Sequence, residues 1–146
     1  MGKPIFIAGP TASGKSAVAK EVAIKKGGEI ISVDSMQVYS SLNIGTAKPT
    51  EEERAAVTHH LVDAIEIDEA FDAAKFVENT TPTIKKIDHP IFCGGTGLYF
   101  QAWQEGLGAS PGGDPKIRVE LEGIETEALL QEIQRKEPET HAKIDR

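Results

Sequence analysis

Eight residues near the amino end, Gly9-Pro10-Thr11-Ala12-Ser13-Gly14-Lys15-Ser16, fit the pattern G-x-x-x-x-G-K-[ST] without a mismatch. The spacing has a physical purpose. Gly9 and Gly14 let the backbone bend with its N–H groups turned inward, where a side chain would block a phosphate oxygen. Lys15 adds a mobile cation with three donors. Ser16 can place its hydroxyl on Mg²⁺ and begin a helix whose amino end favours the same anion. Two further groups could do chemistry. Asp34-Ser35-Met36-Gln37-Val38-Tyr39 puts an acid and a polar cluster after an apolar run, and Gly94-Gly95-Thr96-Gly97-Leu98-Tyr99 puts glycines and a hydroxyl after another. Asp34 can act as a metal-associated acid, as a general base, or simply as the cap of the next turn. Thr96 can hold a phosphate oxygen or a substrate nitrogen, or cap a helix.

The flanking sequence says which elements must position these groups. Pro4-Ile5-Phe6-Ile7-Ala8, Glu29-Ile30-Ile31-Ser32-Val33-Asp34 and Pro90-Ile91-Phe92-Cys93 read as three short buried strands. Each runs into one of the polar loops, and ligands of open α/β sheets bind at the carboxyl ends of strands. Between them the pattern predicts a helix from Ser16 to Lys26, stopped by Gly27-Gly28. A short helix to about Val57 opens with a capping box from Thr50 to Glu53. Another runs from Asp72 to Ile87 with a break or kink at Pro82, and a further one begins at Leu98. The adjacent pair His59-His60 is poorly arranged for chelation, because neighbouring side chains face apart, so structural or loop-positioning roles are expected.

From Gly106 the texture changes. Residues 106 to 114 form a hinge by composition, and Asp114 with Pro115 reads as a helix start. Helices are expected from Pro115 to about Leu121, Thr126 to Arg135 and Pro138 to Ile144. The expected organisation is an incomplete P-loop α/β core over 1–106 and a partial helical insertion domain over 107–146. The fold class is α/β, a P-loop NTPase-like parallel sheet flanked by helices.

Composition narrows the classes. Hydrophobic content of 39% and charged content of 27% suit a globular chain. No stretch reaches the length of a membrane span, and the start leads directly into the first strand, leaving no room for a signal peptide. The lone Cys93 forms no internal disulfide and suits a reducing, cytoplasmic setting as a small buried hydrophobe. A net charge of −7 is unhelpful for general nucleic-acid binding, so any such partner must meet a local basic patch.

The P-loop alone leaves the phosphate open: nucleoside triphosphates, monophosphate donors and allylic diphosphates all fit. Taken together with Asp34 to Tyr39, Gly45-Thr46-Ala47-Lys48-Pro49, His59-His60-Leu61-Val62-Asp63 and Gly94 to Tyr99, its order and spacing resemble the tRNA dimethylallyltransferases, also called tRNA isopentenyltransferases. The resemblance covers essentially residues 3 to 146. It implies transfer of a dimethylallyl group from dimethylallyl diphosphate to N6 of adenosine 37 beside the tRNA anticodon. It implies that residues 9 to 16 hold the diphosphate with Mg²⁺, Ser16 being the metal residue. It implies that Asp34 takes the amine proton, and that Ser35, Met36 and Gln37 lie in the segment that meets the flipped-out base. Thr96 and Arg118 match positions that contact substrate and assist transfer. The family continues beyond this point with a tRNA-contacting segment and a return to the sheet, so the chain resembles an incomplete enzyme, expected to be a monomer. Three other readings stand beside this one: a P-loop small-molecule kinase, an adenylate isopentenyltransferase, and a non-catalytic diphosphate-binding fragment.

Overall fold

The computed structural model describes residues 2–108 and 113–144. The chain divides into two compact units, Met1–Gly108 and Ala109–Arg146.

The first unit is built on four strands, β1 (Ile5–Ala8), β2 (Glu29–Val33), β3 (His59–His60) and β4 (Pro90–Gly94), in the spatial order β1-β4-β2-β3. Every pairing is parallel. Parallel strands need crossovers, and helices supply them: α1 (Lys15–Lys26), α2 (Glu51–Ala56) and α3 (Ala73–Ile84), with α4 (Gly97–Glu105) following β4.

Side chains alternate across the sheet, and this sorts the core into two layers. Ile31, Val33 and Phe92 pack with Phe76, Ile84, Tyr99 and Phe100 of α3 and α4. Ile30, Ile91 and Cys93 point to the other face, against Ala19 and Ala23 of α1. The small residues on α1 let it lie close to the strands. Phe6 of the outer strand β1 stacks on Phe92 at 4.9 Å, and Trp103 also meets Phe92, at 5.3 Å.

Local chemistry sets the helix ends. Gly27 closes α1 in the left-handed region at φ 62°, where its N–H reaches the Ala23 carbonyl. Thr50 and Glu53 form a reciprocal capping box on α2. Asp72 caps α3 through the Lys75 N–H at 2.8 Å.

The second unit contains α5 (Pro115–Glu122), α6 (Thr126–Lys136) and α7 (Pro138–His141). Asp114 caps α5 through the Lys116 N–H, with Pro115 in its first turn. None of these three helices buries a residue.

Several expectations need correction. A fourth strand exists, because His59 and His60 extend the sheet beside Ile30 and Ile31. A two-residue strand has no periodicity to read. Helix α3 stops at Ile84 and continues unbroken through Pro82, which lies in the last turn and costs only one hydrogen bond there. Helix α7 ends at His141 rather than Ile144. The stretch 109–112 of the expected hinge lies outside the described residues.

Candidate functional site

The turn between β1 and α1 adopts the conformation its glycines allow. Gly14 has φ +83° and Ala12 is also left-handed at +64°. Gly9 lies so close to Ser13 that an added Cβ would sit 3.1 Å from its hydroxyl oxygen. Lys15 curls over the loop, donating from Nζ to the Pro10 carbonyl at 3.0 Å. That bond is exposed and replaceable, so the ammonium is kept within the loop until a stronger anionic acceptor arrives.

The carboxyl end of β2 faces the same space. Ile30, Ser32 and Asp34 alternate onto the α1 side, and all three line one cavity of about 510 Å³ together with Thr11, Ala12, Gly14, Lys15 and Ser16. Cys93 of β4, in register with Ser32, lies in the wall between them. Burial pushes the Cys93 thiol up; the Lys15 charge and a hydrogen bond with Ser16 oppose this, and the Asp34 charge adds to it. Three candidate residues thus bear on one sulfur. Gly94 lets β4 approach β2 closely, since a Cβ there would collide with the Val33 carbonyl.

Asp34 does cap the following turn: Oδ1 accepts from the N–H groups of Met36 at 2.8 Å and Gln37 at 3.2 Å. Only Oδ1 takes part, so the cap holds the carboxylate at the cavity and leaves Oδ2 for other work. Capping and catalysis are compatible here.

Gln37 is held more tightly. Its Nε2 donates to the Thr46 and Ala47 carbonyls at 3.1 and 2.9 Å, and its Oε1 accepts from the buried Ser32 hydroxyl at 2.9 Å. The amide therefore straps the 45–47 loop to β2, and that loop forms the cavity's outer wall with Met36. Lys48 secures the same loop from behind. Its side chain is only 6% exposed, and Nζ donates to the Tyr39 carbonyl at 2.6 Å, the Asn43 side-chain oxygen at 3.0 Å and Asp63 at 2.5 Å. Asp63 also pairs with Arg54 at 2.6 Å. Burial pulls the Asp63 carboxyl upward, but Lys48 and Arg54 more than offset this and hold it below its ordinary value.

Thr96 and Ser35 meet each other rather than the cavity. The Ser35 N–H donates to the Thr96 hydroxyl at 3.2 Å, and the Thr96 N–H to the Val33 carbonyl at 3.1 Å. Thr96 stands at the start of α4, yet its side chain makes no capping bond, because it is turned to β2. Arg118 is exposed on α5, in the second unit.

The cavity also reaches residues that sequence patterns did not single out for it: Lys20, Glu53 and His59. Lys20 and Glu53 form an ion pair at 2.9 Å between α1 and α2. His60 points away, to Glu29 at 2.6 Å. The i, i+2 alternation of Ile30, Ser32 and Asp34 carried a signal for Ser32. Lys48 and Asp63 each stood in a run that carries the resemblance, but no spacing joined them, since the Lys48 acceptors are oxygens of Tyr39, Ser40, Asn43 and Asp63 at irregular separations.

Comparison with known proteins decides the family. The model of the IPP transferase family matches residues 37–146. The chain belongs to the IPP transferase family. Similar members are a tRNA dimethylallyltransferase of Geobacter metallireducens, 52% identical over 122 residues, covering 81% of this chain and 40% of the relative. One from Citrifermentans bemidjiense is 44% identical, covering 97% of this chain and 48% of the relative. Among solved structures, the tRNA isopentenylpyrophosphate transferase of Bacillus halodurans superposes with a TM-score of 0.70 at 38% identity, over 98% of this chain and half of that one. A eukaryotic dimethylallyltransferase acting on tRNA gives a TM-score of 0.82 at 27% identity, over 99% of this chain and 38% of that one. The chain thus spans about 40–50% of the length of these IPP transferase relatives.

Proposed function

We propose that this chain carries the donor-binding and proton-accepting half of a tRNA dimethylallyltransferase, with dimethylallyl diphosphate as donor and N6 of adenosine 37 as acceptor. The observation that carries the reading is the single cavity shared by the P-loop and Asp34. One wall suits a diphosphate and the other a basic carboxylate, which is the pairing that amine alkylation needs.

In the proposed reaction the adenine N6 attacks C1 of the donor. An N–C bond forms, the C1–O bond breaks and diphosphate leaves. The N6 lone pair is delocalised into the ring, so a base at the amine helps, and Asp34 takes the proton on a carboxylate oxygen. Residues 9 to 16 receive the charge that grows on the departing oxygen. Lys15 exchanges the Pro10 carbonyl for that oxygen, and the loop's N–H groups add to its stabilisation. Mg²⁺ fits the donor set, since the Ser16 hydroxyl offers a hard oxygen beside a diphosphate that would provide more. When bound, it would neutralise diphosphate charge. The adenine must leave its stack to reach the cavity. Gln37 serves here as the strap of the wall, and Ser35, Met36 and Thr96 as the rim that the base meets. Arg118, as a helper of transfer, remains part of the proposal.

The experiment pairs donor binding with transfer. Dimethylallyl diphosphate and ATP are titrated calorimetrically with Mg²⁺, then labelled donor is tested on an anticodon stem-loop. Binding of the allylic donor, weakened about tenfold or more by Lys15→Ala, supports the reading. Asp34→Ala is expected to abolish any transfer while donor still binds. Preference for ATP with phosphoryl transfer would replace the proposal with a kinase.

A further inference from the structure

The second unit carries an apolar face that its own helices leave open. Ile117 and Leu121 lie four residues apart on one side of α5, with Ile124 in line just past the helix end. Each is at least 40% exposed, and with Leu129 of α6 they line one shallow groove. Lys116 and Glu120 stand along one edge of that face, and Arg118 and Glu122 along the other.

The order of these charges is the reverse of what a solitary helix favours. The helix dipole favours acids in the first turn and bases in the last. Helix α6 follows this, with Glu127 in its first turn and Arg135 and Lys136 in its last. Helix α5 has no acid in its first turn and no base in its last, because its bases come first. Each base also precedes the acid four residues on, the weaker order for a pair within one helix. Among the described residues no ion pair engages any of the four.

A neighbouring helix of opposite direction turns the same pattern into complementarity. When two copies of α5 lie antiparallel with their apolar faces together, each edge meets the same edge of the other copy in reverse order. Lys116 then faces Glu120 of the second copy, Arg118 faces Glu122, and Ile117 faces Leu121. All three pairings have their midpoints at or next to Val119, so one twofold axis serves them together. A parallel copy would set Lys116 beside Arg118 and Glu120 beside Glu122, like against like. We infer that this face of α5 is a self-association surface, and that its partner is a second copy of this chain bound antiparallel. This departs from the monomer that the resemblance implies. In the pair Arg118 is held by Glu122 of the second copy, so the paired chain and a chain that uses Arg118 in transfer are different states.

Two short helices make a small interface, below about 1,200 Å², so a weak dimer with Kd on the order of 0.1 mM is expected. Sedimentation equilibrium of the 146-residue chain, up to about 1 mM, measures it. By symmetry each single charge change strikes two contacts. Lys116→Glu and Glu120→Lys should each weaken self-association about tenfold or more. An equimolar mixture of the two variants should pair again, since every facing charge at these positions is then opposite. Each change also moves α5 toward the order its dipole favours, so loss of the helix would not explain loss of pairing, and circular dichroism checks this. A chain that stays monomeric, a dimer indifferent to both charge variants, or variants that do not pair when mixed overturns the inference. Donor binding plays no part in the measurement, so each of those results leaves the proposed function standing.

Discussion

Lys48→Met removes a charge while keeping most of the apolar stem, and the structure sets its cost. The ammonium meets a backbone carbonyl at 2.6 Å, an amide oxygen at 3.0 Å and the Asp63 carboxylate, in a site 6% exposed. Deleting one partner of a buried pair costs about 3–5 kcal/mol. Here the carboxylate is 29% exposed and keeps Arg54, so the lower end applies, about 3 kcal/mol. The assay is urea unfolding followed by fluorescence of Trp103, the single tryptophan, which packs on Phe92 in the first unit. With a urea slope of about 2 kcal/mol/M, the midpoint should fall by about 1.5 M. A pH series adds a second reading. The folded carboxyl of Asp63 lies below its ordinary value, so its contribution is complete above the unfolded pKa and is lost as pH falls through the folded one. The gap between the two proteins should therefore be widest near pH 7 and narrow below about pH 4. A midpoint shift under about 0.3 M, or a gap that does not change with acid, would refute the claim that this charge holds the loop.

Gln37→Glu should loosen the same loop from the cavity side, because two donors become acceptors facing the Thr46 and Ala47 carbonyls. Amide exchange across residues 45–48 should accelerate about tenfold, with a smaller effect for Gln37→Ala. Gly94→Ala drives a Cβ into the Val33 carbonyl inside the sheet and should cost about 3 kcal/mol in the same unfolding assay. Gly95→Ala is the control, since its added carbon would lie 3.4 Å from the Gly9 carbonyl, an ordinary contact.

Much of the arrangement was legible because local chemistry and position agree. The P-loop pattern locates the turn between β1 and α1, and two apolar runs locate the β2 and β4 ends that face it. The capping box at Thr50 and the aspartates at 72 and 114 mark helix starts that the structure realises. What was not legible depends on contacts between distant residues. β3 is a strand only because Ile30 and Ile31 lie beside it. The Lys48 hub joins residues 39, 43 and 63, and no spacing rule connects them. Thr96 looks like a helix cap in sequence, yet the Ser35 amide claims its hydroxyl. Asp34 shows the limit from the other side: turn cap and candidate base were rival readings of one residue, and the cap, which uses one carboxylate oxygen, leaves the other reading open to test.

The outer strand β1 has one further consequence. Its four residues, Ile5 to Ala8, carry no charge, and among the described residues only β4 pairs with it, on one side. Of the devices that discourage edge-to-edge association, the sequence places only Lys3 and Pro4, just ahead of the strand. A strip of that kind is a template: any extended polypeptide with matching spacing can zip onto it, and Phe6, 37% exposed, offers that newcomer an aromatic surface to lie against. Solubility of the chain therefore turns on what occupies that margin as much as on its interior.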